Sequence, residues 1–238
     1  MNAPSSRPPI QDPRQVPVTG LDTHLPPVPA QRLQAQALRE RFAAGADFQP
    51  EWAGDGGLLN GARAPAAAAV LVPLVQRDAG LSVLLTQRTA HLRDHAGQIS
   101  FPGGRSEPED LSPEATALRE AQEEIGLTPR HVELIGRLPV YRTVTAFDVT
   151  PVVALVQPDF QLALDAFEVA EAFEVPLAFL MDPANHRRHT VAWGGGERQF
   201  LSMPWTGTGL APSDGPREYF IWGATAAMLR NLYRFLSA

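Results

Sequence analysis

Hydrophobic periodicity along this chain predicts an α/β fold. Three observations carry that expectation. Residues 112–126 have the pattern of an amphipathic helix with its own start and stop signals. Residues 66–75, 81–87 and 149–156 are apolar, β-prone runs too short for buried helices. Residues 225–236 close the chain with a second helical stripe, in which Met228, Leu229, Leu232, Phe235 and Leu236 are apolar.

The helix at 112–126 is the most fully specified element. Ser112 is suited to accept a hydrogen bond from an orphan backbone N–H at the N-cap. Pro113 fits the first helical position, where no N–H is needed. Glu114 complements the positive end of the helix dipole. Gly126 is a natural C-terminal stop. Ala117, Leu118, Ala121 and Ile125 form an apolar stripe at helical spacing.

Residues 1–29 contain Pro8, Pro9, Pro13, Pro17, Pro26, Pro27 and Pro29. Proline lacks the donor a helix needs, so this stretch reads as an extended arm. Residues 30–44 look helical, with Leu33, Ala37, Leu38 and Phe42 on one side and Gly45 as the stop. Residues 54–63 form a glycine-rich loop. The run 66–75 turns at Arg77-Asp78-Ala79-Gly80 and returns as a hairpin strand over 81–87. Residues 132–138 and 149–156 are further strands, with Pro151 marking the N-terminal end of the second. An acidic stretch follows over 157–176. Residues 187–193 and 198–203 read as a hairpin joined by Gly194-Gly195-Gly196, and 219–222 as a short strand. There is no internal repeat. The organisation expected is an arm, 1–29, and a single domain, 30–238.

Composition narrows the function. The chain has 238 residues and a net charge of −6, which argues against a broad nucleic-acid-binding surface. It has no cysteine, hence no disulfide, thiolate metal site or cysteine nucleophile. No apolar run is long enough to span a bilayer. The first residues lack a signal-peptide core, and Phe235-Leu236-Ser237-Ala238 is not a Ser-Lys-Leu address. A soluble, cytoplasmic protein is expected, with no membrane or nucleic-acid partner.

The chemistry gathers on the helix at 112–126. Glu120, Glu123 and Glu124 share one face, where neighbours three and four apart repel by roughly 0.2–0.5 kcal/mol per pair. Arg119 can answer Glu123 at i+4, which leaves Glu120 and Glu124 without a partner in sequence. Alone, such a face is an ordinary solvated one. Oxygen ligands on a rigid helix also suit a hard cation, Mg²⁺ or Mn²⁺. Upstream, the forked guanidinium groups of Arg88 and Arg93 suit phosphate oxygens, or else surface ion pairs. His91 and His95 stand at i, i+4, but no third ligand is in view for zinc, so they read as exposed polar residues. His186-Arg187-Arg188-His189 reads as a solvated basic patch near a nucleotide.

Two abutting motifs give these residues a context. Arg119-Glu120-Ala121-x-Glu123-Glu124-x-Gly126-Leu127, after Gly103-Gly104, resembles the Nudix box, G-x5-E-x7-R-E-U-x-E-E-x-G-U, with U an aliphatic residue. The loop departs from that pattern. The early acidic position is Asp110, and Arg119 follows it one residue late. Directly upstream, the stretch from Leu84 to Gly104 is similar to the signature of the coenzyme A pyrophosphatase branch, L-L-T-x-R-[S/T]-x3-R-x3-G-x3-F-P-G-G. Arg88, Arg93 and Phe101-Pro102-Gly103-Gly104 stand at its fixed positions.

The resemblance implies a Nudix-type α/β/α sandwich with a mixed central sheet. It implies a divalent-metal-dependent enzyme that cleaves the diphosphate of coenzyme A, with its acyl esters as further candidates, to 4′-phosphopantetheine and adenosine 3′,5′-bisphosphate. Glu120, Glu123, Glu124 and the carbonyl of Gly104 are the metal ligands it implies. Glu120, Glu123 and Glu168 are the catalytic candidates, Glu168 because the segment 168–177 is similar to one that follows the box in many Nudix enzymes. Arg88, Arg93, Gly103 and Arg119 are the candidates for substrate binding. Asp110, out of register, is expected to hold the loop against Arg119 or backbone donors. The alternatives are a Nudix enzyme acting on ADP-ribose or nucleoside triphosphates, and a Nudix-like binding module without catalysis.

Overall fold

The computed structural model describes residues 10, 12–45, 48–55, 64–92, 97–193, 196–210 and 215–238. Its centre is a mixed sheet. β2 (Ala66–Arg77) runs antiparallel to β3 (Gly80–Arg88) and parallel to β8 (Phe147–Val156). β4 (Ile99–Ser100) and β9 (Val169–Pro176) pair with β3. β5 (Gly103–Arg105) pairs with the first half of β2, while β6 (Val132–Arg137) and β7 (Tyr141–Arg142) pair with β8.

Side-chain alternation divides the core between the two faces of this sheet. Ala69, Leu71, Val75, Val152, Ala154 and Val156 face helix α2 (Pro113–Ile125), meeting its Ala117, Ala121 and Ile125. Val72, Leu74, Val153 and Leu155 face the other way. There they meet Leu38 of α1 (Ala35–Ala43) and the apolar side of α4 (Gly223–Ser237). Helices on both faces of a mixed sheet give the expected sandwich.

The same side carries a second sheet, in which the expected hairpin and the strand at 219–222 are joined by an unexpected strand from the arm. β1 (Val18–Leu21), β10 (Arg187–Trp193), β11 (Gly196–Gly207) and β12 (Arg217–Trp222) form a four-stranded antiparallel sheet in that order. Its inner side chains Leu201, Met203, Tyr219 and Ile221 join the core beneath α4. The proline-rich segment thus contains a strand, Val28 is buried, and its N–H donates to the carbonyl of Met181 at 3.1 Å.

Local departures have simple causes. The expected helix at 30–44 is broken at Gln34, whose φ of −88° and ψ of 148° are extended, into a 3-10 turn, Ala30–Leu33, and α1. Pro151 lies within β8, not at its start. Its carbonyl accepts from Leu138 N–H, where the chain passes from β6 to β7. N–H and C=O of one strand residue point to the same side, so the missing donor falls where the ladder is already interrupted. The glycine-rich loop lies outside the described residues from 56 to 63.

The basic patch is a correction. His186 and His189 are buried, and only Arg187 of the four is exposed. Arg188 binds Asp22 and Glu51, at 2.9 and 2.7 Å. Strand alternation and distant carboxylates turned a basic run into an internal network, with Arg230 of α4 at its centre.

Candidate active site

The capping signals of α2 act as the sequence predicts. Ser112 Oγ accepts from Ala115 N–H at 3.3 Å, and Pro113 opens the helix. Gly126, at φ 71°, ends it, its N–H meeting the carbonyls of Ala121 and Gln122. The face of α2 that packs on the sheet is rotated from the expected stripe. Leu118 is only half-buried, whereas Glu124 is buried along with Ala117, Ala121 and Ile125. A carboxylate therefore sits in line with the apolar stripe, directed at the edge of the sheet.

That edge is β5. Gly103 N–H donates to Glu124 Oε2 at 3.1 Å, and Arg88 Nη1 lies 3.5 Å from Glu124 Oε1. The Glu124 side chain is only 6% exposed. Burial pushes its carboxyl up to about 7, opposed by Gly103 N–H and Arg88 and reinforced by the charges of Glu120 and Glu168. Glu120 is also raised, by burial first, with Arg119 opposing and Glu123 and Glu168 adding repulsion. A Cβ on Gly104 would come within 2.6 Å of the Glu120 carboxyl, so glycine here leaves that carboxyl in its present position.

Glu168 reaches the same place from another element. β9 pairs with β3 so that Arg88 opposes Val169, and Thr89 N–H donates to the Glu168 carbonyl at 2.9 Å. Glu168 Oε2 then lies 3.7 Å from Arg88 Nη2, with 43% of its side chain exposed. Glu171, next along the acidic segment, faces away and accepts from Tyr219 Oη at 2.8 Å. The structure thus assembles Glu120, Glu124, Glu168, Arg88, Gly103 and Gly104.

Arg119, a candidate for substrate binding, is engaged by its own loop and helix. Its Nε and Nη2 donate to Asp110 at 3.1 and 2.9 Å, Nη1 to Glu123 at 2.9 Å, and Nη2 to the Arg105 carbonyl at 3.1 Å, with Glu120 Oε1 at 3.0 Å. Three carboxylates and a carbonyl claim the guanidinium, so it clasps the loop to the helix. Asp110 accepts from Glu107 N–H as well, and the Arg119 guanidinium holds its carboxyl well below the usual range. Glu123 is 61% exposed and turned to Arg119. In this arrangement Glu123 orients Arg119 and keeps an exposed carboxylate beside Glu120. Arg93 and His95 lie outside the described residues, and the His91 ring lies 4.9 Å from the exposed Phe167 ring, tilted by 59°.

Among the described residues no three carboxylates or histidines stand together as a formed metal cage. The donor set nonetheless fits a hard divalent cation. Glu120 and Glu124 are desolvated oxygen donors whose charges repel, and a cation would offset that cost.

Gly103 and Gly104 open on a cavity of about 550 Å³. Arg88 and Arg105 line it beside them. Among the described residues Arg105 has no ion-pair partner, although it directly follows the glycine pair. Asp55, Thr143 and Arg198 line its further reach, under Trp222 and the start of α4. Sequence reading missed Arg105, Asp55 and Arg198. Position after Gly-Gly was a signal for the first, and nothing in the sequence marks the other two.

A sequence model of the NUDIX domain matches residues 65–193, more than half of the chain. Over 166 residues the chain is 42% identical to a protein of Escherichia coli (strain K12) named uncharacterized Nudix hydrolase NudL, covering 69% of this chain and 80% of that one. It is 43% identical over the same length and coverage to the protein of that name from Salmonella paratyphi B. Among solved structures, a C. elegans Ap4A hydrolase binary complex aligns with 48% of this chain and 85% of its own at 21% identity, with a TM-score of 0.40.

Proposed function

The chain belongs to the Nudix hydrolases, and from that membership we propose that it is a Mg²⁺- or Mn²⁺-dependent diphosphatase of coenzyme A. The products are 4′-phosphopantetheine and adenosine 3′,5′-bisphosphate. One observation carries this reading. Phe101-Pro102-Gly103-Gly104, where the two motifs meet, lies against Glu120 and Glu124 at the mouth of a cavity large enough for a nucleotide.

Glu120, Glu124 and the Gly104 carbonyl would hold the cation. When bound, it neutralises phosphoryl charge and lowers the pKa of the attacking water. Glu168, exposed and beside the cluster, accepts the proton of that water. Arg88, held between Glu124 and Glu168, and Arg105 bind the diphosphate oxygens. Arg93 is assigned to the same anion from the motif alone. Water adds to one phosphorus, and the bridging oxygen leaves with the other. Glu123 acts through Arg119, which fixes the loop. Residues 30–238 serve as one catalytic domain, to which the arm adds β1. All three helix glutamates remain, which argues for catalysis over a passive binding module.

The test is a substrate panel. The kcat/KM for coenzyme A is expected to exceed that for ADP-ribose and for nucleoside triphosphates. A preference for ADP-ribose would assign the chain to another branch.

A further inference from the structure

The cavity has a part that the catalytic groups do not reach. Across β2 from β5 lies β8, two strand spacings or roughly 10 Å away. Just before β8 the turn at Thr143 enters the cavity lining, together with Asp55 and Arg198. Arg198 belongs to β11, outside the segment matched by the NUDIX model.

Asp55 ties this region together. Its Oδ1 accepts from Val144 N–H at 2.8 Å and its Oδ2 from Arg198 Nη2 at 3.0 Å. Asp55 N–H in turn donates to the Arg142 carbonyl at 3.0 Å. The Arg198 guanidinium is thereby held in one orientation in the cavity wall. Its side chain is only 13% exposed, and its Nε is a buried donor with no acceptor among the described residues. A desolvated guanidinium with an unused donor is costly to keep, and it is the group best suited to an anion that brings its own oxygens.

Resting on the coenzyme A reading, we propose that Arg198 is the specificity-determining residue for a phosphate monoester on the ribose, the 3′-phosphate of the nucleotide half. The diphosphate lies at Gly104, Arg88 and Arg105. Arg198 lines the same cavity, beside Thr143 and Asp55, where a second anionic group of the same nucleotide would meet it. Asp55 is the positioning residue that aims the guanidinium.

Binding of the nucleotide half tests this without turnover. Calorimetry on the full chain with Mg²⁺ compares adenosine 3′,5′-bisphosphate with adenosine 5′-monophosphate. The wild type is expected to prefer the bisphosphate. Arg198→Gln is expected to lose roughly ten- to a hundredfold in affinity for the bisphosphate, with affinity for the monophosphate unchanged. Arg198→Lys, which keeps the charge but not the fork, is expected to retain part of the preference. It decides the matter if Arg198→Gln does not fold. A wild type without preference, or a variant with the full wild-type ratio, overturns the assignment. Neither result touches the diphosphatase reading, which stands or falls on turnover.

Discussion

Glu124 is buried in the sheet-facing side of α2, and burial pushes its carboxyl up to about 7. A cation must displace the proton that this carboxyl binds below that pH. Metal affinity is therefore expected to rise with pH through about 7 and to level off above it. Titration calorimetry at a series of pH values checks this. Glu124→Gln should bind metal weakly and without that pH slope, its amide oxygen still accepting from Gly103 N–H. An unchanged slope would mean that another group titrates. Asp110 and Arg119 make a contrasting pair. Asp110→Asn loosens a loop clasp, whereas Glu120→Gln removes a ligand. Clear residual activity is expected for the first and almost none for the second. Equal losses, with equal shifts in the metal concentration for half activity, would make Asp110 a ligand. The clasp was legible in sequence because both partners lie within one local motif. Arg105 was legible in principle, while Arg198 was not, because its partner Asp55 lies 143 residues away.

Among the elements, β5 does most to couple fold to chemistry. Its two glycines have different reasons to be glycine. A Cβ on Gly103, at φ 154°, would strike the Ala69 carbonyl oxygen and come within 2.6 Å of Val70 Cα, backbone atoms of β2 that have nowhere to go. A Cβ on Gly104 would meet only the end of the Glu120 side chain, which can move aside. Gly103→Ala should therefore lower Tm markedly, and Gly104→Ala should nearly preserve Tm while cutting kcat. Thermal melts with steady-state kinetics on both variants check the split; a stable, active Gly104→Ala enzyme would contradict the close-approach account. The caps of α2 were readable because they are local. The burial of Glu124 was not, since the sequence gives the helical period but not the rotation at which α2 docks on β2.

At the scale of the whole molecule, the arm's place in the second sheet stayed hidden because β1 is four residues long within a proline-rich stretch and pairs with a strand far along the chain. Its network is also pH-sensitive. His186 Nε2–H donates to the Leu180 carbonyl at 2.8 Å, and Nδ1 accepts from Arg230 at 3.1 Å. Burial pushes the imidazole down to about 4, from 6.5 in the unfolded chain. A depressed histidine stays neutral in the fold, so its contribution is intact above about 6.5 and is lost as pH falls towards 4. The loss amounts to roughly 3 kcal/mol over that window. Denaturant titrations at several pH values should show the wild type losing that much relative to His186→Gln. Parallel curves would remove the histidine from the account. The central claim, cation-dependent cleavage of coenzyme A at its diphosphate, has a direct measurement. Mass spectrometry of a reaction with Mg²⁺ is expected to find 4′-phosphopantetheine and adenosine 3′,5′-bisphosphate in equal amounts, and neither in excess chelator. Full turnover in chelator, or intact coenzyme A beside a cleaved ADP-ribose control, would contradict it.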